Sequence, residues 1–203
     1  VMKGTVVVSD NLSAMLDARV AELDRLISAQ LSEVMHGAEF QKLESTWRGL
    51  HYLCQESNTG PMLKIKVLNV TKRDLVRDFQ TAIDFDQSLM FKKVYEEEFG
   101  TFGGAPFGAL IGDYFLGRQP EDMYFIEQMS HVAAASHAPF IASASPELLG
   151  LDSFADLGRP RDLAKVFDTV EYTKWRSFRD SEGSRYVGLT MPRFLGRLPY
   201  DPK

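Results

Sequence analysis

Leu12, Leu16, Val20, Leu23, Ile27, Leu31 and Val34 recur at steps of four and three residues. Such spacing gathers all of them on one face of a long α-helix and scatters them over both faces of any strand, so the stripe predicts a helix and little else. Ser9, Asp10 and Asn11 stand where an N-cap accepts the first free amide protons, and Gly37 supplies a stop. A second stripe begins at once, with Phe40, Leu43, Trp47, Leu50 and Cys54 on one face. Two consecutive stripes predict a helical hairpin, or helices that pack on another subunit. Ser57-Asn58-Thr59-Gly60-Pro61 then breaks the chain.

Beyond the break the period changes to two. Leu63, Ile65 and Val67 alternate with Lys64 and Lys66, which predicts a half-buried strand. Thr71 followed by Asp74 has the form of a capping box and opens a helix through Leu75 and Phe79. Another helix is expected from Ser88 through Phe91, Val94, Tyr95 and Phe99 to Gly100. A glycine-rich stretch, Gly100 to Gly108, leads into an apolar strand at Ala109-Leu110-Ile111. Pro120, Glu121 and Asp122 form the first turn of a helix to about Ala135, with Ile126, Met129 and Ala133 inward. Pro139 to Ala142 reads as a buried strand, and Ser145-Pro146-Glu147 as a further helix start. Helices near Arg161–Phe167 and Val170–Phe178 precede a last strand from Tyr186 to Met191. Strands separated by helices predict an α/β fold: a layered mixed sheet with flanking helices and an N-terminal helical appendage. The expected division is 1–58, a strand arm and helical hairpin for partner contact, and 59–203, an α/β core.

The 203 residues suffice for a real core. With 23 Lys+Arg against 28 Asp+Glu the net charge is −5, so the chain lacks the basic balance that collects phosphates by counterion release. General nucleic-acid binding is disfavoured. The stretch from Gln128 to Pro146 lacks acidic and basic side chains, but His131, His137, Pro139 and several serines exclude a lipid-facing helix. The N-terminus lacks the apolar core of a signal peptide. Cys54 is the single cysteine, which excludes an internal disulfide and fits a reducing, cytoplasmic compartment. The chain starts at Val1 and stops at Leu198-Pro-Tyr-Asp-Pro-Lys203 without a finishing element, and reads as a fragment.

No residue set assembles into a catalytic or metal centre. Gly100, Gly103, Gly104, Gly108 and Gly112 suggest a phosphate cradle, yet the order is helix, loop, strand, and Ala109-Leu110 replaces the Lys-Ser/Thr of a P-loop. Glu96, Glu97 and Glu98 are adjacent on a helix and point in different directions, which suits a solvated face rather than an acid/base pair. Asp113 beside Tyr114 ends a strand, a common place for chemistry, without a neighbouring nucleophile. His131 and His137 are six apart, the wrong spacing for a helical metal pair. His36 suits a helix C-terminus, and His51 lies beside the second apolar face. Cys54 reads as a small buried hydrophobe. Arg159, Arg161, Arg176, Arg179, Arg185, Arg193 and Arg197 interleave with Trp175, Phe178, Tyr186 and Phe194. That mixture mimics a nucleic-acid face, but arginine with aromatics also marks protein contacts, and ion pairing is the expected use. The alternative reading is a nucleotide- or phosphate-binding α/β enzyme that uses the loop 100–108. No catalytic residue, cofactor or metal is assigned.

A string of segments in register carries a family resemblance. Phe40-Gln-Lys-Leu-Glu-Ser-Thr-Trp-Arg-Gly-Leu50, Lys64-Ile-Lys-Val-Leu-Asn69 and Phe91-Lys-Lys-Val-Tyr-Glu-Glu-Glu-Phe-Gly-Thr101 lead it. Gly103-Gly-Ala-Pro-Phe-Gly108, Gly112-Asp-Tyr114, Ala138-Pro-Phe140 and Ser145-Pro-Glu-Leu-Leu-Gly-Leu-Asp152 continue it. Trp175-Arg-Ser-Phe-Arg179 and Arg185-Tyr-Val-Gly-Leu189 close it. Together these resemble the large contractile-sheath subunit of the bacterial type VI secretion system, the TssC/VipB/EvpB family. The resemblance implies a non-enzymatic role and the α/β core of phage tail-sheath proteins. It also implies pairing with a small sheath subunit (TssB/VipA-like), stacking on other copies of that heterodimer around an inner tube protein, and recycling by an AAA+ disassembly ATPase. Family members are about twice as long, so a C-terminal half and an N-terminal arm fall outside this chain. The expected partner interface is Val6, Val7 and Val8, as a strand that extends a neighbour's sheet, with Leu12, Leu16, Leu23 and Ile27 on the first helix.

Overall fold

The computed structural model describes residues 12–158 and 162–200. Val6, Val7 and Val8, the N-cap candidates Ser9, Asp10 and Asn11, and Arg159 and Arg161 lie outside the described residues. The chain divides into two compact units, Val1–Ile65 with Phe194–Lys203, and Lys66–Arg193.

The first unit is built on two helices. Helix α1 spans Leu12–Met35 and α2 spans Ala38–Glu56. The His36 ring closes α1 through its Nδ1, 2.8 Å from the Ser32 carbonyl oxygen. Gly37 ends α1 as expected, but with ordinary extended backbone (φ −65°) from which α2 starts, so no left-handed cap is involved. Neither helix contains a buried residue. Cys54, expected in a core, is exposed, as are Leu43 and Trp47 on the same stripe.

The strand expected at Leu63–Val67 does not form. Alternation makes a strand only where a neighbour completes its ladder, and among the described residues no strand pairs with this segment. Leu63 and Val67 are exposed. Lys66 instead pairs with Glu98 and lies 5.3 Å over the Phe107 ring, while Val70 offers its carbonyl to the Tyr114 hydroxyl at 2.8 Å.

The second unit is an α/β layer structure. Helix α3, Lys72–Thr81, opens on the expected capping box: Thr71 Oγ1 accepts from the Asp74 amide, and the Asp74 carboxylate accepts from Thr71. Its apolar face, Leu75, Val76 and Phe79, is buried. Asp78 near its end accepts the Leu89 and Met90 amides, both at 3.0 Å, and so anchors the start of the next helix. That helix, α4 (Leu89–Phe91), is capped by Ser88 Oγ and runs on as a π-helix over Lys92–Phe99. The wider turn is visible in the Gly100 amide, which reaches the carbonyl five residues back, at Tyr95.

Strands β1 (Leu110–Leu116), β2 (Phe140–Ala144) and β3 (Val187–Thr190) lie in the order β1-β2-β3, Leu110 facing Phe140 and Phe140 facing Val187. Both pairings are parallel. The sheet expected to be mixed is therefore parallel among the described residues, because helical crossovers after β1 and after β2 return the chain to the same end. Helix α5, Pro120–Ser136, makes the first crossover and carries the centre of the core: Phe125, Ile126, Met129, Val132 and Ala133 are buried. The second crossover holds α6 (Leu163–Phe167) and α7 (Thr173–Asp180), with a 3₁₀ turn, Val170–Tyr172, leading into α7. The helix start at Ser145-Pro146-Glu147 yields a single 3₁₀ turn, Pro146–Leu149, which Gly150 ends at φ 64°, a conformation that favours glycine.

A partly buried ion pair fastens α3 to the start of α5. Lys72 Nζ lies 2.5 Å from Asp122 Oδ1, and Asp122 Oδ2 accepts the Gly117 amide at 2.8 Å. Asp122 is only 6% exposed. Asp122→Ala leaves the Lys72 ammonium with only the Phe115 carbonyl, 3.4 Å away, and the Gly117 N–H without its partner, and is expected to cost about 3 kcal/mol in urea unfolding. An unchanged unfolding midpoint would remove the pair from the list of structural supports.

Candidate partner-binding surface

The surface with the strongest claim to function lies on α1. Leu12, Leu16, Val20, Leu23, Ile27, Leu31 and Val34 are between 48% and 65% exposed. A soluble helix normally buries such a stripe, since each large aliphatic side chain gains roughly 1.5–3 kcal/mol on leaving water. On α2, Leu43 and Trp47 are 56% and 62% exposed. The expected residues Leu12, Leu16, Leu23 and Ile27 thus share one open helical face, at a spacing that suits a second helix laid alongside.

A clamp on α2 escaped the sequence reading. The Glu44 carboxylate receives Arg197 Nε at 2.9 Å and Nη2 at 3.0 Å, Arg48 Nε at 2.6 Å, and the Tyr200 hydroxyl at 2.9 Å. The Arg197 guanidinium also stacks 3.5 Å from the Tyr200 ring centre. No local spacing links Glu44 to residues more than 150 positions later, so only the folded chain reveals the group. The fork from Arg197, then Arg48, holds the Glu44 carboxyl at about 2, against an ordinary 4.5. A lowered carboxylate value stabilises the fold above the ordinary range, and that contribution disappears as pH falls toward about 2. The Glu44 side-chain carbon should titrate by NMR with a midpoint near 2; a midpoint near 4.5 would mean the clamp does not form.

The other constellations resolve into structural roles. In the loop 100–108 the Glu98 carboxylate accepts the Ala105 amide at 3.1 Å, which brings negative charge to the loop and weighs against an anion cradle. Gly104 is there because a Cβ would collide with the Glu98 carbonyl, and Gly103 because its φ is 84°. Gly112 meets the Phe140 ring, 2.8 Å from where its Cβ would stand. Asp113 and Tyr114 sit where the β1 register shifts between Gly112 and Phe115. The Tyr114 hydroxyl is spent on the Val70 carbonyl, and burial pushes its phenol up. His131 meets the Phe85 ring at a tilt, with centroids 5.1 Å apart, and His137 caps α5 at φ 53°. Among the described residues no group of His, Cys, Asp and Glu is arranged to hold a metal ion. No helix there is long and apolar enough to cross a membrane.

The expected ion pairing appears at Arg197 and Arg185, whereas Arg176 and Arg193 engage a carbonyl and an aromatic ring instead. Arg197 is in the clamp, Arg185 pairs with Glu182 at 3.6 Å, and Arg176 donates to the Phe167 carbonyl at 3.0 Å. Arg193 covers the Phe115 ring at 3.8 Å. These guanidinium groups are engaged within the chain, not displayed as one basic face.

Comparison with known proteins agrees with the segment pattern. The VipB model, described as EvpB/VC_A0108, tail sheath N-terminal domain, matches residues 17–203. The chain is 48% identical over 204 aligned positions to the type VI secretion system sheath protein TssC1 of Pseudomonas aeruginosa. That alignment covers all of this chain and 41% of the relative.

Proposed function

The chain belongs to the VipB (EvpB) tail-sheath family, and from that premise we propose that it serves as a structural subunit of a type VI secretion contractile sheath. The observation that carries the reading is the 48% identity to TssC1 along the whole chain. In this reading the chain pairs with the small sheath subunit in the cytoplasm. The heterodimers polymerise around the inner tube, contraction drives effector delivery, and an AAA+ ATPase dismantles the spent sheath. The open stripe of α1 is the surface for the small subunit, and Val6, Val7 and Val8 add a strand to a neighbouring sheet. The core is of the phage tail-sheath kind, and the role is mechanical rather than enzymatic.

Co-expression of the full-length protein with its small sheath subunit, followed by electron microscopy, tests the assignment. Co-purification and tubular polymers are expected; two subunits that neither co-purify nor polymerise would overturn it. Deleting the residues before Ser9 should leave thermal unfolding unchanged and reduce polymer length and number. Normal tubes from the deletion would remove the strand-arm role while leaving the sheath assignment intact.

A further inference from the structure

Residues 194–200 close back onto α2 and belong to the same compact unit as the two helices. Besides the Glu44 group, the Phe194 ring meets Tyr52 edge-on at 5.9 Å, and the Tyr200 ring stands 5.9 Å from His36. The segment is therefore held at both ends and in the middle. At about 100° per residue, Glu44, Arg48 and Tyr52 fall on one side of α2, roughly a third of a turn from the stripe Phe40, Leu43, Trp47, Leu50 and Cys54. The segment thus occupies the polar side of the helix and leaves the apolar stripe open, in keeping with the exposure of Leu43 and Trp47.

The attachment is unlike an ordinary surface ion pair. Exposed pairs contribute little because two long side chains must be ordered for one weak contact. Here a planar guanidinium fork, a second arginine and a phenol share one half-buried carboxylate, so ordering that carboxylate serves three partners together. Meanwhile Phe194, Leu195 and Leu198 are 76%, 77% and 83% exposed, so burial of apolar surface is not what keeps the segment in place. The polar clamp does that.

We propose that residues 194–200 are a latched strap, with Glu44 the catch and Arg197 and Tyr200 the tongue. The chain passes between its two units at Ile65/Lys66 and again at Arg193/Phe194. With the latch engaged, both passages end in ordered structure, and the chain that leaves β3 is tied to the helix bearing the Trp47 stripe. With it released, the second passage becomes a slack tether, and α2 keeps only its own chain ends and its contact with α1. Any event that pulls on the chain beyond β3 then acts on α2 through Glu44. This device is independent of the identity of the sheath partner.

Hydrogen–deuterium exchange of the purified chain, unmodified and with Glu44→Gln or Arg197→Lys, tests the latch. Glu44→Gln keeps size and helix propensity but removes the charge; Arg197→Lys keeps the charge but removes the fork. Both should speed exchange in peptides covering 194–200 and the second half of α2 by about tenfold, with β1, β2, β3 and α5 unaffected. Two results would overturn the proposal. One is exchange in 194–200 that does not respond to either substitution. The other is acceleration spread equally over the sheet and α5, which would make Glu44 a general support of the fold rather than a catch.

Discussion

Phe125→Ala is expected to destabilise the sheet-bearing unit by about 3–5 kcal/mol, the range for deleting a fully buried aromatic ring. Phe125 is 0% exposed and lies where α5 crosses the sheet, meeting Tyr114 from β1 edge-on at 5.8 Å and Phe140 from β2 at 5.9 Å. Edge-to-face geometry adds to the area term, and the cavity left by alanine has rigid walls on both sides. Against the 5–15 kcal/mol of a typical domain this is a large share, so the variant should unfold at markedly lower urea concentration or fail to accumulate. Phe125→Leu, which keeps most of the volume, should recover about half of the loss. A Phe125→Ala protein with an unchanged unfolding midpoint would show that α5 does not pack on β1 and β2 as described.

The second large effect concerns assembly rather than folding. Replacing Leu16, Leu23 and Ile27 together by Gln should abolish co-purification with the small sheath subunit. These side chains are about half exposed, so a partner helix can still remove substantial apolar area from each. At roughly 25 cal/mol per Å² the triple change forfeits on the order of 3–5 kcal/mol, about two to three and a half orders of magnitude in affinity. Gln is a good helix former and α1 contains no buried residue, so circular dichroism should report unchanged helicity. Unchanged pairing would sink α1 as the interface while leaving family membership untouched.

Sequence and structure agree where the signal is local. The capping box at Thr71 and Asp74 forms as its spacing requires, and the proline start of α5 with Ile126, Met129 and Ala133 inward follows from helical periodicity. Element order already weighs against the glycine loop as a phosphate site, and the Glu98 carboxylate at the Ala105 amide adds a reason in space. Disagreement arises where partners are distant. Leu63, Ile65 and Val67 carry a strand's pattern, but the pattern does not provide a ladder neighbour. Cys54 follows a core-like stripe, yet a stripe states which residues share a face and not whether anything covers that face.

The charged groups make the same distinction. Asp122 was legible as a first-turn acid of α5, a favourable position for negative charge. That its carboxylate also holds Lys72, 50 residues earlier, could not be read from spacing. Glu44 and Arg197 were unremarkable singly; their 2.9 Å contact, 153 positions apart, exists because the chain returns to α2 after the sheet is built. Amino-acid order by itself determined the long helices, the three strands that alternate with helices in the second unit, and the family. Those properties depend on neighbours within a few turns of chain, or on the order of segments. Tertiary structure alone decided which apolar faces are covered, which strands pair and which charges meet. Each of these requires two stretches of chain far apart in sequence to occupy the same few ångströms.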